Sequence, residues 1–354
     1  MPFVLSMCVV SVEESASIAM PKNPAHTSSR PTIYDVAREA GVSKSLVSLV
    51  LNDSPLVSEP KRAAVKDAIA RLGYRPSRAA ATLATSRSRM VGLVIDDFQN
   101  PWFVALLNGV REVMGPEGFQ VAVREHYQLG DRTMNAIEGF LDTQVDALLI
   151  AGEPRHRFDP PGIPTVLQGN RLHDIDGADR VAADEPLGVR LIMTHLRQRG
   201  HARIGHVTGV GGSAKVRLHA YLASMAATDG EPRYAGGGNE TNEEGGYLGT
   251  LELLDRHPDV TAVFAANDTM ALGARAALRE RGLEVPTDVA LAGYDDSLLA
   301  QARFLDLTTI DARGHDVGRA CGEVLLRRLA DPDKEPETLV IPTRLVVRSS
   351  TSGR

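Results

Sequence analysis

The chain has 354 residues, of which 43% are hydrophobic and 5% aromatic, and this is typical of an α/β protein with two or more domains. No apolar run approaches the ~20 residues that cross a bilayer, and the opening residues lack a basic start and carry Glu13 and Glu14, so we expect neither a membrane segment nor a secretory signal. Cys8 and Cys321 have no close partners in sequence. We therefore expect no metal site, no disulfide framework and a reducing, cytoplasmic location.

The net charge of −6 hides an uneven distribution. Residues 30–89 hold eleven Lys and Arg against five Asp and Glu, so the remainder of the chain is strongly acidic. A basic module attached to an acidic body is typical of a nucleic-acid-binding protein that carries a second kind of domain. Chance clustering of solvated Lys and Arg is the alternative.

In chain order, residues 1–29 show little periodicity and are predicted to form a disordered tail, with Met20 as an alternative start to Met1. Three short helices follow. Thr32 with Asp35 three residues later indicates a capping box, and Gly41 ends the first helix after two turns.

Two serines mark the starts of the next two helices. Ser43 is predicted to cap a helix that runs to about Leu51, where NDSP breaks it. Ser58 is predicted to cap the third helix, which has Pro60 in its first turn and stops at Gly73.

The second helix has two different sides when it is wound at 100° per residue. One side is apolar and closes a core: Leu46, Val47 and Val50. The opposite side faces outward from the start of the helix: Lys44, Ser45, Ser48 and Leu49. This arrangement predicts a helix-turn-helix that presents side chains to the major groove, and an αα-hairpin with a solvated polar side is the alternative.

The segment GYRPSRAAATLATSRSR joins this basic module to the body. Ser77 is placed to cap a helix of about seven residues whose one bulky apolar side chain is Leu83. So short a helix forms only when something covers it, and on DNA Leu83 could enter a minor-groove step and kink the duplex. A flexible Ala-rich linker is the alternative.

Beyond Ser86, apolar runs alternate with amphipathic helices, which predicts parallel sheets covered on both faces in two similar lobes. The predicted strands are 90–96, 119–125, 145–152, 164–169, 203–209, 261–267 and 289–295. The predicted helices are 102–114, 131–142, 186–200, 243–257, 268–281 and 314–330.

Many of these segments together carry a family resemblance over residues 32 to about 351. They are TIYDVAREAGVSKSLVSLVLN, VSEPKRAAVKDAIARLGYRPSRAAATLA, VGLVIDDFQNPWF, RGHARIGHVTG, VFAANDTMALGA, VALAGYDD, LTTI and PTRLVVRSST. The chain resembles the lac-repressor (LacI/GalR) family of bacterial transcription regulators. The resemblance implies a repressor that binds a near-palindromic operator as a homodimer. It also implies a two-lobed, periplasmic-binding-protein-like effector domain whose chain crosses between the lobes three times.

The expected domains are a tail (1–29), a helix-turn-helix DNA-binding domain (30–76), a hinge (77–89) and an effector-binding and dimerisation domain (90–354). The resemblance places Lys44 and Ser45 at base-reading positions, with Ser48 nearby. It assigns contacts with phosphate, or packing roles, to Tyr34, Ser43 and Asn52, and Thr32 is grouped with them. Arg78 approaches the minor groove and Leu83 is the intercalating residue. Leu49 stands where the family usually has Arg, which removes a bidentate guanine contact.

The resemblance also implies that a small effector binds between the lobes. It gives ligand-contacting roles to Asn267, Asp295 and Arg217, with Ser213 as a weaker neighbour. Such groups suit a hydroxyl-rich ligand, so we expect a sugar. For Arg217 and Asp295 the alternative is a structural ion pair across the lobes.

Aromatic residues after the first strand could supply a stacking wall for the ligand, or could simply pack in the lobe core: Phe98, Trp102 and Phe103. Two departures from the family leave the class of ligand open. QGN at 168–170 lacks the Asp that often follows this strand, and Thr241 stands where an aromatic residue is common.

An enzyme and a transport-type sugar-binding protein are the competing classes. The sequence has no G-x-G-x-x-G after the first strand, no P-loop, no G-x-S-x-G and no metal-spaced His cluster, so we expect no catalysis, cofactor or metal. We interpret His195, His201 and His206 as surface or packing residues. A transport-type sugar-binding protein would have no use for the basic module at residues 30–89.

Overall fold

The computed structural model describes residues 31–51, 53–75, 88–125, 136–152, 162–170 and 175–352. They belong to two compact units, a small N-terminal unit and a large body, and each is described by itself. The tail, Asn52 and residues 76–87 lie outside the described residues.

The N-terminal unit contains the three expected helices: α1 (Ile33–Glu39), α2 (Lys44–Leu51) and α3 (Glu59–Leu72). The Thr32 hydroxyl accepts a hydrogen bond from the Asp35 amide, and the Asp35 carboxylate accepts one from the Thr32 amide at 3.0 Å, so the predicted capping box is confirmed. The Leu46 amide donates to the Ser43 hydroxyl at 3.2 Å, as expected of a cap. Ser58 precedes α3 as predicted, but its hydroxyl makes no capping bond.

A small apolar core closes this unit. It consists mainly of Val36, Val47, Val50, Val65 and Ala68, with Val57 and Tyr74. Gly41 and Gly73, which follow α1 and α3, have φ of +65° and +61°, a left-handed conformation that glycine adopts at little cost. The predicted core side of α2 is confirmed for Val47 and Val50, whereas Leu46 is half-buried.

The first lobe of the body is built on a six-stranded parallel sheet in the order β11-β5-β4-β3-β1-β2. Its strands are β1 (Met90–Ile95), β2 (Gln120–Glu125), β3 (Ala147–Ile150), β4 (Thr165–Gln168), β5 (Asp179–Ala183) and β11 (Thr338–Ile341). Its helices are α4 (Trp102–Met114), α5 (Ala136–Asp142) and α11 (Gly314–Ala330). Residues 131–135 of the predicted helix 131–142 lie outside the described residues.

The second lobe is built on a four-stranded parallel sheet in the order β7-β6-β8-β9. Its strands are β6 (Ile204–Val207), β7 (Arg233–Ala235), β8 (Ala262–Ala265) and β9 (Ala290–Ala292). Its helices are α6 (Glu185–Gln198), α7 (Gly212–Ala226), α8 (Glu243–Arg256), α9 (Asp268–Glu280) and α10 (Leu298–Gln301).

The chain crosses between the lobes three times, after β5, between β9 and β11, and after β11. The second and third crossings form an antiparallel pair, β10 (Thr309–Asp311) with β12 (Arg344–Val346). The first and third crossings are joined because the Thr343 hydroxyl donates to the Asp184 carbonyl at 3.1 Å. The three connections are therefore bonded side by side. The chain ends its described part in a short 3₁₀ helix (Ser349–Thr351) beside β9.

Two pairs of helices pack with their backbones almost in contact. In the first lobe, a Cβ added to Gly318 of α11 would collide with the Leu106 carbonyl of α4, and one added to Gly109 would collide with the His315 carbonyl. In the second lobe, Gly246 of α8 meets the Met270 carbonyl of α9 in the same way. Glycine is required at these positions because no side chain fits between the helices.

Candidate functional site

The outward side of α2 is the candidate DNA-reading surface. Val47 and Val50 are buried and hold the helix on the core. Lys44 and Ser45 are exposed and Ser48 is half-buried, while Leu49 keeps 40% of its surface exposed. The structure thus brings the four predicted residues to one side of the helix, with the two base-reading candidates at its N-terminal end.

Tyr34 contacts the side chain of Lys44. Its ring is 61% exposed, and the Lys44 ammonium lies 5.1 Å from the ring centroid. The Lys44 Nζ also donates to the Tyr34 hydroxyl at 3.4 Å. A cation above an aromatic face is attracted by the ring quadrupole, so Tyr34 positions Lys44.

Other predicted DNA contacts have local structural roles or are not described. Thr32 and Ser43 are exposed and cap α1 and α2. Asn52, Arg78 and Leu83 lie outside the described residues.

The candidate effector site centres on Arg217 of α7, which is only 9% exposed. Its Nη1 donates to the Ala266 carbonyl at 2.6 Å, and its guanidinium carbon lies 3.8 Å from the centroid of the Tyr294 ring. Its Nη2 donates to Glu185 Oε1 at 3.0 Å. The Nε has no hydrogen-bond partner among the described residues. The guanidinium is thus fixed on two sides, and its Nε–H is left without a partner among the described residues.

Asp295 lies directly beside this arginine, with Oδ1 3.6 Å from Arg217 Nη2. Its φ of +112° is strained for a residue other than glycine, and such strain is typical of functional sites. Burial raises the pKa of Asp295, and the nearby Arg217 opposes that shift. The ion pair considered as an alternative is therefore present. It does not cross the lobes, because α7 and the segment after β9 both belong to the second lobe.

Asn267 and Asp268 follow β8, and their side chains are engaged mainly in hydrogen bonds within the protein. The Asn267 Oδ1 accepts from the Met270 amide at 2.7 Å and caps α9, while its Nδ2 donates to the Thr241 carbonyl at 3.2 Å. Asp268 accepts from the Thr309 hydroxyl at 2.6 Å and from the Ser297 amide at 2.7 Å. Burial raises the pKa of Asp268.

A cavity of about 470 Å³ opens beside Asp295. It lies between the start of α4, the segment 295–301 and the start of α11, and Trp102 and Arg313 also line it. Small-molecule sites typically measure 300–1,000 Å³. Of the predicted effector residues, the structure brings Trp102 and Asp295 to this cavity, whereas Arg217 does not line it and lies next to Asp295.

The remaining predicted effector residues do not line the cavity. Phe98 is 58% exposed, and Ser213 is half-buried near the start of α7. Trp102 and Phe103 contact edge to face, with ring centroids 5.4 Å apart, and both pack into the lobe core. The packing alternative thus describes Phe103, whereas Trp102 serves the core and the cavity together.

Glu185 was not predicted from the sequence; it is 4% exposed and accepts from Asn170 Nδ2 at 2.8 Å through its other oxygen. Asn100 was not predicted either; its side chain hydrogen-bonds Asp295 and opposes the rise that burial causes in the pKa of Asp295. The available signal was Glu185 itself, an acidic residue immediately after the capping Asp184 at the carboxyl end of β5. That strand was not predicted, so its end could not be placed.

The three histidines are buried packing residues. His195 Nε2 lies 2.8 Å from the Thr351 hydroxyl and His201 Nδ1 lies 3.1 Å from the Thr261 hydroxyl. His206 Nδ1 donates to the Phe264 carbonyl at 2.9 Å. Across the part of the chain that the structure describes, no group of three or more His, Cys, Asp or Glu could hold a metal ion. No described helix is long and apolar enough to span a membrane.

Comparison with known proteins identifies both units. Residues 32–77 match the family of bacterial regulatory proteins called the lacI family, and residues 193–351 match a periplasmic binding protein-like domain. The HTH-type transcriptional regulator CelR of Thermobifida fusca is 35% identical over 345 residues, covering 91% of this chain and 98% of the relative.

Two solved structures resemble the chain over the same extent. A complex of the transcriptional regulator CelR with cellobiose has a TM-score of 0.65 and 33% identity, covering 91% of this chain and 100% of that one. The lac repressor dimer bound to operator and the anti-inducer ONPF has a TM-score of 0.77 and 26% identity, covering 91% and 99%. A chain with this helix-turn-helix unit, this two-lobed body and relatives matched almost end to end belongs to the lacI family of bacterial regulatory proteins, and it is a transcriptional regulator and not an enzyme.

Proposed function

We propose that the protein represses transcription as a homodimer, with α2 of each copy in the major groove of a near-palindromic operator. The observation that carries this proposal is the exposed side of α2, where Lys44 and Ser45 stand at the N-terminal end of a helix fixed from behind by buried valines. The dimeric lac repressor bound to its operator supports the same arrangement here.

Leu49 belongs to the same surface, and we expect it to set a base preference at one position of each half-site. An Arg at this position would offer a bidentate contact to guanine, worth about 1–3 kcal/mol of discrimination. Leucine offers only apolar contact, for which the thymine methyl group is the fitting partner. We expect Leu49→Arg to shift the preferred operator toward guanine at one position of each half-site, as measured by selection of bound duplexes.

The first experiment is a gel shift of the full chain on genomic fragments at several salt concentrations. We expect one preferred duplex, with affinity that falls steeply as salt rises because phosphate contacts release counterions. Lys44→Ala should abolish the preference among duplexes. Lys66→Ala, which removes an exposed lysine from α3, is the matched control and should leave the preference intact. No preferred duplex at physiological salt would refute the proposal.

We propose that the effector is a sugar held beside Arg217 and Asp295. A guanidinium and a carboxylate side by side can each bond two adjacent hydroxyls, and the neighbouring cavity of about 470 Å³ has room for a small molecule. The relative CelR, solved with cellobiose, supports a sugar.

A thermal-shift screen of the full chain against sugars and nucleobases tests the effector. A sugar should raise the melting temperature, because a ligand that binds only the folded state stabilises it. Arg217→Ala should remove this shift while leaving the gel shift on the operator intact. Stabilisation by a nucleobase and by no sugar would refute the sugar.

We further propose that the effector acts on DNA binding through the hinge, residues 77–89, with Arg78 at the minor groove and Leu83 as the intercalating residue. The domain boundaries follow from this division: a tail (1–29), a DNA-binding domain (30–76), the hinge, and an effector and dimerisation domain (90–354). A regulator that binds chromosomal DNA acts in the cytoplasm of a bacterium, which is the location we propose.

A further inference from the structure

Arg217 has two acidic neighbours. Its Nη2 lies 3.0 Å from Glu185 Oε1 and 3.6 Å from Asp295 Oδ1. All three residues are buried, with 9%, 4% and 8% of their surfaces exposed. Coulomb interactions are much stronger in such a place than in water.

Glu185 is held where it is by both lobes. Its Oε2 accepts from Asn170 Nδ2 at 2.8 Å, and Asn170 follows β4 of the first lobe. Its Oε1 accepts from Arg217 of the second lobe. Both carboxylate oxygens therefore have donors, and the carboxylate is fixed against the guanidinium of Arg217.

Of the five N–H groups of the arginine, one on Nη1 donates to Ala266 and one on Nη2 donates to Glu185, while Nε has no partner among the described residues. The Nε–H can donate to a neutral oxygen such as a hydroxyl. A carboxylate or phosphate would compete with Glu185 for the guanidinium and would meet the negative charge of that residue.

We infer that Glu185 makes the effector site selective for uncharged, hydroxyl-bearing ligands, because it neutralises the arginine that would otherwise attract an acidic sugar. Arg217 Nε donates to a ligand hydroxyl, and Asp295 accepts from one. Glu185 thus acts as a specificity residue through Arg217. This inference rests on the sugar effector proposed above and adds the ligand's charge.

The experiment compares matched pairs of sugars by calorimetric titration of the full chain at one pH and ionic strength. The pairs are glucose with glucuronate, galactose with galacturonate, and ribose with ribose 5-phosphate. We expect the neutral member of the pair that binds to bind at least tenfold tighter than its acidic counterpart.

Glu185→Gln keeps the size of the side chain and removes its charge. We expect the ratio of neutral to acidic affinity to fall by at least tenfold in this variant, whereas Glu185→Asp should keep the ratio within about threefold of wild type. Glu138→Gln is the matched control, because it removes an exposed carboxylate of α5 with the same change of net charge, and its ratio should equal that of wild type.

The outcomes separate this inference from the proposed function. An acidic sugar that binds wild type as tightly as its neutral counterpart overturns the inference and leaves the sugar effector standing. An unchanged ratio in Glu185→Gln also overturns it. Binding of neither member of any pair overturns the sugar effector and this inference together. If Glu185→Gln fails to fold, the wild-type ratios alone decide.

Discussion

His206 is a titratable residue placed where a charge is costly. Its ring is fully buried, stacked on Phe264 with centroids 4.7 Å apart and tilted over Tyr221 at 5.2 Å. Nδ1 donates to the Phe264 carbonyl, and Nε2 has no partner among the described residues. Burial lowers the pKa of His206 to about 4, and the charge of Arg217 acts in the same direction.

This residue makes the second lobe sensitive to acid. Above about pH 8 the ring is neutral in the folded and unfolded states, so it contributes nothing to the pH dependence there. As the pH falls below about 6.5 the unfolded chain takes up a proton that the folded one does not, so stability falls until about pH 4. We expect the wild type to lose about 2 kcal/mol more than His206→Gln between pH 7 and pH 5.

Urea unfolding followed by far-ultraviolet circular dichroism at the two pH values measures the difference. The control is His219→Gln, which removes an exposed histidine from α7. It should lose as much stability on acidification as the wild type does. Equal losses in wild type and His206→Gln would contradict the buried neutral ring.

Single residues were predictable from sequence where their partners are near in the chain. The capping box of Thr32 and Asp35 is a bond across three residues, so the spacing alone revealed it. Glu185 was not predictable, since its partners Asn170 and Arg217 lie 15 and 32 residues away and meet it only in the folded body.

At the scale of elements, the glycines between α4 and α11 decide how closely two helices approach. Alanine at Gly318 would favour the helix by about 1 kcal/mol through its intrinsic propensity. It would also collide with the Leu106 carbonyl, and overpacking of this kind costs about 1–3 kcal/mol or more when backbone must move. We expect the collision to outweigh the propensity and Gly318→Ala to destabilise the first lobe.

Trp102 provides the measurement, because it is the single tryptophan of the chain and begins α4. Its fluorescence transition in urea should move to lower concentration in Gly318→Ala. Gly238→Ala, at a position with nothing within 4 Å of the added Cβ, is the control and should leave the transition in place. An unchanged transition in Gly318→Ala would mean that the helices separate at little cost.

The alternation of strands and helices was predicted well because buried parallel strands appear as apolar runs. All seven predicted strands and six predicted helices correspond to described elements, apart from 131–135. Helix Gly212–Ala226 was missed because it begins after glycine without a capping side chain and buries Arg217 and Tyr221 among its small residues. Strands of three to five residues such as Arg233–Ala235 were also missed, since so few residues carry no periodicity.

At the scale of the whole molecule, our proposal couples effector binding to DNA binding through the hinge. If Leu83 enters the minor groove only in the complex with operator, Leu83→Ala removes an interaction with DNA and none with the effector. We expect specific operator affinity to fall at least tenfold while the dissociation constant of the effector stays within about twofold. Gel shift and calorimetry on the same preparation measure the two quantities, and an equal loss of both would refute the coupling.

The three crossings between the lobes limit how the body can move. Because the first is tied to the third through Thr343 and Asp184, and the second is paired with the third along β10 and β12, they bend as one ribbon. Sliding of one lobe past the other would break these bonds, whereas rotation of one lobe about the three crossings would keep them. Asn170 and Glu185, which meet from opposite lobes next to Asp184, add a further hydrogen bond beside these crossings.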